Sequence, residues 1–291
     1  MFKYTIRLGL LALLPVAAPV DAQVPLKIYG QELVDRTLAA NRELLVMVMH
    51  AAPPAAASSV VIASNIGQIG SPAGKDELQA IAGGKTIAGM LPGGSALKVE
   101  LPLLDVVGET IGALTLEWAI HPGNDTAALA RKAEQIRDGL SRRILNATNL
   151  FDQFPFVPAA TTRTRAQKLV DEIQASHPEV EVLALRGRLG SSGELVLLGS
   201  TFGRHGKTAD QDDMKVLAAT APTTGVYSNG KRFGIDLPLH DGKSAAVGTM
   251  NVGYAYRAGA DTQVLVDQSL KLRDELQMRL GSGPRLDELD P

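Results

Sequence analysis

Apolar positions along the chain change period several times, and each change marks an element. Leu33, Val34 and Leu38 recur at helical spacing and precede an unbroken apolar run of strand length, Leu44 to Met49. Val60 to Ser64 predicts a second strand, folded back on the first across Pro53-Pro54, and Lys75 to Ile81 predicts a short helix. Alternation then sets in: Val99, Leu101 and Leu103 share one face of a strand, and a tight turn leads to a last strand over Ile111 to Trp118. Leu129, Ala133, Ile136, Leu140 and Ile144 return to the helical period, with Gly123 just ahead and Asp125 placed to cap the first turn.

The succession then occurs a second time. Leu33-Val34-Asp35 corresponds to Leu169-Val170-Asp171, Gly67 and Gly70 to Gly203 and Gly206, Leu101-Pro102-Leu103 to Leu237-Pro238-Leu239, and Arg137-Asp138 to Arg273-Asp274, always at an offset of 136. The second copy is predicted to open with a helix around Leu169 to Ile173. Strands follow at Val180 to Leu185 and Leu195 to Ser200, then a short helix at Asp210 to Ala218. Phe233 to Leu239 and Val247 to Tyr256 supply the remaining strands, and Leu265, Ser269, Leu272, Leu276 and Leu280 mark the closing helix. Connections this short join antiparallel neighbours, so the expected fold class is α+β: two tandem units, each an antiparallel sheet flanked by helices. The units are expected at 23–145 and 165–280. Between them a linker at 146–164 carries two prolines and Phe151, Phe154 and Phe156, which are expected to pack against one of the two domains and fix their relative orientation, the alternative being a docking surface for a partner; 281–291 is expected to be a disordered tail.

The first residues change the setting. Lys3 and Arg7 precede an apolar run from Leu8 to Val20, and Val20-Asp21-Ala22 ahead of Gln23 puts small residues where a signal peptidase reads, so residues 1–22 are expected to be a cleaved export signal. The run is broken by Pro15 and Pro19 and falls short of the roughly 20 apolar residues a spanning helix needs. No later run is longer than a strand, so no membrane span is expected after cleavage. The chain has no cysteine, which removes disulfides and thiolate chemistry and favours a bacterial periplasm over a stapled eukaryotic secreted domain. With 29 basic and 31 acidic residues it shows no electrostatic footprint for nucleic acid.

The strand-turn-strand segments Val99-Glu100-Leu101-Pro102-Leu103-Leu104-Asp105 to Ile111-Gly112-Ala113-Leu114, and Ile235-Asp236-Leu237-Pro238-Leu239-His240-Asp241 to Val247-Gly248-Thr249-Met250, resemble those of the extracytoplasmic PAS-like sensor domains called Cache domains. That resemblance implies a small organic ligand in the concave face of the sheet, under the short helix, and a signal passed to a membrane-bound partner. The chain departs from the pattern in carrying no signalling module.

The second copy has polar groups where the first has other types. Tyr227, Arg232, Asp236, Asn251 and Tyr254 stand at the positions of Leu91, Ala96, Glu100, Thr115 and Trp118, and form a candidate site for an amino acid or carboxylate, Arg offering a bidentate fork and Asp an amine partner. Strand alternation limits how many converge, since Tyr254 lies opposite Asn251. Arg204 and His205, flanked by Gly203 and Gly206, make a second candidate for an anion. The five histidines show no metal-type spacing, and no nucleophile elbow, phosphate loop or dinucleotide fingerprint occurs, so neither a metal, a cofactor nor an enzymatic activity is expected. The leading expectation is an exported small-molecule-binding or sensing accessory protein. The alternative is a ligand-free interaction scaffold of the cell envelope.

Overall fold

The structure is a computed structural model that describes residues 27–54, 56–160, 163–241, 244–280 and 285–289. The expected export signal lies outside the described residues. The first unit runs α1 (Tyr29–Ala40), β1 (Leu44–Ala51), β2 (Val60–Ser64), α2 (Lys75–Gly83), β3 (Ile87–Met90), β4 (Ala96–Leu104), β5 (Thr110–Ala119) and α3 (Thr126–Ser141). The second repeats it as α4 (Arg165–Ser176), β6 (Val180–Leu189), β7 (Glu194–Ser200), α5 (Gln211–Leu217), β8 (Thr223–Tyr227), β9 (Arg232–His240), β10 (Ala246–Ala255) and α6 (Thr262–Leu280). Each forms a five-stranded antiparallel sheet, in the order β2-β1-β5-β4-β3 and β7-β6-β10-β9-β8. The chain is a tandem of two PAS-like domains.

Alternation sorts each strand onto two layers. In the first unit Met47, Met49, Val99, Leu101, Leu103, Leu114, Leu116 and Trp118 are buried on one face with Leu33 and Val34 of α1 and Ala133 and Leu140 of α3. In the second, Leu183, Leu185, Ile235, Leu237, Leu239, Met250 and Val252 meet Leu169, Val170 and Ile173 of α4 and Leu272 and Leu276 of α6. Each such side chain taken fully out of water contributes about 1.5–3 kcal/mol, which makes this face the stability-bearing one. The opposite face is covered only in part, by the short helices α2 on β4 and β5, and α5 on β9 and β10.

Local chemistry fixes the helix starts and turns. Asp125 accepts from the backbone N–H groups of Ala127 and Ala128, and Asp210 closes a reciprocal capping box with Asp213. Asp105 accepts from the N–H groups of Val107 and Glu109, and Asp241 from that of Ala245, so both repeated aspartates serve their hairpin turns.

Two features differ from the sequence expectations. Edge strands β3 and β8 were not marked by periodicity: they are four and five residues long and almost wholly exposed, so no apolar alternation is required of them. In line with the expectation for the linker, Phe151, Phe154 and Phe156 pack on the core of the first unit, while Val157 packs on that of the second. The expected disorder of 281–291 is corrected for 285–289. There Leu286 is buried in the second core, the N–H groups of Arg165 and Ala166 donate to the carbonyls of Glu288 and Leu286, and Asp287 accepts from the N–H of Gly190.

Candidate functional site

The resemblance places a ligand on the face under the short helix, and there the structure shows side chains of the chain itself. In the first unit Glu100 on β4, 2% exposed, accepts from the Thr115 hydroxyl at 2.7 Å and pairs with Lys98 at 2.6 Å; Lys98 also reaches Glu77 of α2 at 3.3 Å. Burial pushes the Glu100 carboxyl up to about 7, against the pull of Lys98 and Thr115. In the second unit Asn251 donates to Asp236, the residues equivalent to Thr115 and Glu100, and Asp213, equivalent to Glu77, pairs with Arg186 at 2.9 Å. Burial raises both Asp236 and Asp213.

The cation has changed strand between the copies. Lys98 stands where the second unit has Gly234, and Arg186 stands where the first has His50. The place left open at Gly234 is taken by the ring of Tyr227, which a Cβ on Gly234 would meet at 2.7 Å.

The sequence-predicted residues therefore separate into three groups. Tyr227, Arg232, Asp236 and Asn251 share the α5 face, but as filled structure: Asp236 is engaged by Asn251, and Arg232, 8% exposed, lies under the Tyr227 ring at 5.8 Å with Glu181 and Asp105 as its nearest acids. Farther along the same face, Val182, Ala184 and Leu197 are covered by Val106 and Leu145 of the first unit. Tyr254 does not join them. It points into the α6 layer, where its hydroxyl accepts from Ser269 at 3.2 Å, because its parity on β10 is that of Met250 and Val252.

Arg204 and His205 lie elsewhere, in a cleft of about 620 Å³ between the two units. Its walls come from α1 (Tyr29, Arg36), the end of α3 (Gly139, Arg142, Arg143), the linker (Phe154, Phe156, Ala160) and the second unit (Gln167 and Thr201 to His205). Arg204 sits in the left-handed region with φ 66°, paired with Asp152 and lying beside the neighbouring Tyr29 and Phe156 rings, 5.8 and 5.9 Å from their centroids. Burial lowers its guanidinium to about 10, which leaves it cationic at neutral pH. His205 Nε2 is 2.6 Å from Gln167 Oε1, and burial lowers the imidazole, favouring the neutral ring.

The charge balance of this cleft is one-sided. Among the described residues no carboxylate lines it. Arg36 is held by Glu32 and Arg204 by Asp152, whereas the exposed guanidiniums of Arg142 and Arg143 have no ion pair or hydrogen bond among the described residues. A groove of about 610 Å³ between α1 and α3 continues from it, sharing Arg36, Gly139 and Arg143. Sequence reasoning found Arg204 and His205 through their flanking glycines. It missed Arg142 and Arg143, because basic residues at a helix C-terminus already have a local reason to be there.

No protein-family model matches the chain, and no curated protein matches it. Similar solved structures include the repressor BlcR of Agobacterium tumefaciens, at 12% identity over 56% of this chain and 87% of that one, TM-score 0.30. A DhaR(N)–DhaL complex of E. coli shares 11% identity over 78% and 84%, TM-score 0.26, and PelD of Pseudomonas aeruginosa in complex with c-di-GMP shares 12% over 89% and 79%, TM-score 0.28. At these scores they carry no argument about what this chain binds. No helix among the described residues is long and apolar enough to cross a membrane, and no group of metal-ligating side chains occurs among them.

Proposed function

We propose that this chain is an exported, non-enzymatic accessory protein that binds a small organic anion, such as a carboxylate, between its two PAS-like domains and reports occupancy to a separate membrane-bound partner. The observation that carries the reading is the uncompensated pair Arg142 and Arg143 facing aromatic walls in a cleft that no carboxylate lines among the described residues. Two free guanidiniums at a partly dry surface are a recognition element for carboxylate or phosphate oxygens, and Tyr29, Phe154 and Phe156 give the rest of such a molecule an apolar bed. Because the walls belong to both domains, a ligand there biases how the domains sit against each other, which supports a sensing role. The periplasm is the proposed location, supported by the residue pattern at Lys3 to Gln23 and the absence of cysteine from the sequence.

Thermal unfolding tests the binding. Aromatic carboxylates, dicarboxylates and phosphate esters should raise the melting temperature, by the equivalent of about 2.7 kcal/mol at a hundredfold excess over Kd, while their neutral amides or alcohols at matched ionic strength should not. The double variant Arg142→Ala/Arg143→Ala should keep its ligand-free melting temperature and lose the response. A panel of anions without effect on the intact protein, or with equal effect on the variant, would sink the reading.

The scaffold alternative draws on a different observation: in both units the polar side chains under the short helix are engaged with one another, Glu100 with Thr115 and Asp236 with Asn251.

A further inference from the structure

The glycine turn of the second unit is built twice in this chain, and only one copy is covered. Ile66-Gly67-Gln68-Ile69-Gly70 corresponds to Phe202-Gly203-Arg204-His205-Gly206, and the backbones agree: φ is 81, 65 and 86° at Gly67, Gln68 and Gly70, against 78, 66 and 85° at Gly203, Arg204 and Gly206. The hydrogen bonds agree as well. The N–H of Gly70 donates to Val61 and that of Gly206 to Leu197, both at 2.8 Å, and the bridges Val60↔Pro72 and Val196↔Thr208 follow.

In the second unit this turn is a socket for the linker. The N–H of Val157 donates to the Gly206 carbonyl at 3.0 Å, the Phe156 ring lies by Arg204, and Arg204 and Lys207 together hold Asp152, while Phe202 is covered from the first unit by Val106 and Leu145. In the first unit residues 65–70 are all exposed, Ile66 at 50% and Ile69 at 60%, and the space around Gly67 and Gly70 is open. Leu45, 51% exposed, lies at the same end of the sheet, its carbonyl bonded by Asn65. On the export reading proposed above, most of residues 16–24, which stand at the same offset before α1 as the linker before α4, leave with the signal, so the mature chain brings no counterpart.

We infer that the turn at Ile66 to Gly70 is a docking site for an extended, apolar, uncharged segment of a partner polypeptide. The covered twin defines the chemistry. A backbone N–H of the partner donates to the Gly70 carbonyl and apolar side chains lie on Ile66 and Ile69. The position of Asp152 carries a neutral residue, because Gln68 and Ser71 replace the two cations that hold that carboxylate.

The test uses the mature chain from Gln23, its cleavage verified separately by mass so that a failure of the export reading is seen on its own. The probe is a fluorescent peptide with the sequence of residues 152–160 carrying Asp152→Asn. The expected result is saturable binding, weakened at least about tenfold in Ile66→Glu/Ile69→Glu at unchanged melting temperature. In Gln68→Arg/Ser71→Lys the preference should reverse toward the unmodified Asp152 peptide. Binding that is absent, or indifferent to all four substitutions, overturns the proposal. So does self-association in sedimentation, or binding to anionic lipid vesicles, that Ile66→Glu/Ile69→Glu abolishes, since either would assign the face to another occupant.

Discussion

Glu100 shows what an internal charge does to a PAS-like sheet. Its carboxyl is nearly dry, and the desolvation of the charged form outweighs Lys98 and Thr115, leaving it near 7 against an ordinary 4.5. The folded state therefore holds a proton that the unfolded chain has released between these values, and stability contributed by this group falls as pH rises from about 4.5 through 7. Glu100→Gln cannot titrate. Its stability relative to the parent should rise by on the order of 3 kcal/mol between pH 4 and pH 8, at about 1.4 kcal/mol per pKa unit. Denaturant titrations at the two pH values measure this, and a pH-independent difference would refute it. The buried His50 contributes a slope of opposite sign, lowered by desolvation, but it is common to both proteins and cancels. That Glu100 and Asp236 occupy one position was legible from the repeat; that each is already engaged was not, because Thr115 and Asn251 meet them only through strand register.

At the scale of elements, strands with full alternation and helices with a complete apolar stripe were readable, since their pattern is imposed by one large buried face. Elements without that constraint were not: β3 and β8 sit at sheet edges, and the segment 285–289 is held by one apolar side chain, Leu286, by backbone bonds and by the side chains of Arg285 and Asp287 on the backbone at Arg188 and Gly190. The two glycine turns give an internal control on what a contact adds to a conformation. Gly70→Ala meets open space and should cost about 1–2 kcal/mol, the price of φ at 86° for a residue with a Cβ. Gly206→Ala has nearly the same φ, but its Cβ would lie 2.5 Å from the Val157 carbonyl oxygen, so it should destabilise more and loosen the linker. Equal unfolding midpoints for the two variants would show that the linker contact contributes nothing.

Across the whole molecule, the contacts between the domains among the described residues include polar ones, Asp152 to Arg204 and Lys207 and Glu109 to Lys231 and Asn229, beside the apolar patch at Phe202. Such junctions permit relative domain motion, which a sensing role requires. Asp152→Ala would leave Arg204 buried without its counter-ion and should destabilise by about 3–5 kcal/mol, whereas adding Arg204→Met should recover much of the loss. Additive losses measured by calorimetry would contradict that account. The cleft could not be read from either repeat alone, because Arg142 and Arg143 at the end of α3 meet Arg204 and His205 only across the linker. The migration of the cation from Lys98 on β4 to Arg186 on β6 has one more consequence. Were the twin units to trade β4 for β9 during synthesis, one hybrid would gather both cations, Lys98 and Arg186, with Glu100 and Asp213, and the other would leave Asp236 and Glu77 facing no cation. The second mispairing strands carboxylates without a counter-ion, which disfavours the assembly of sister modules so alike in backbone out of each other's parts, a hazard that tandem duplication otherwise brings.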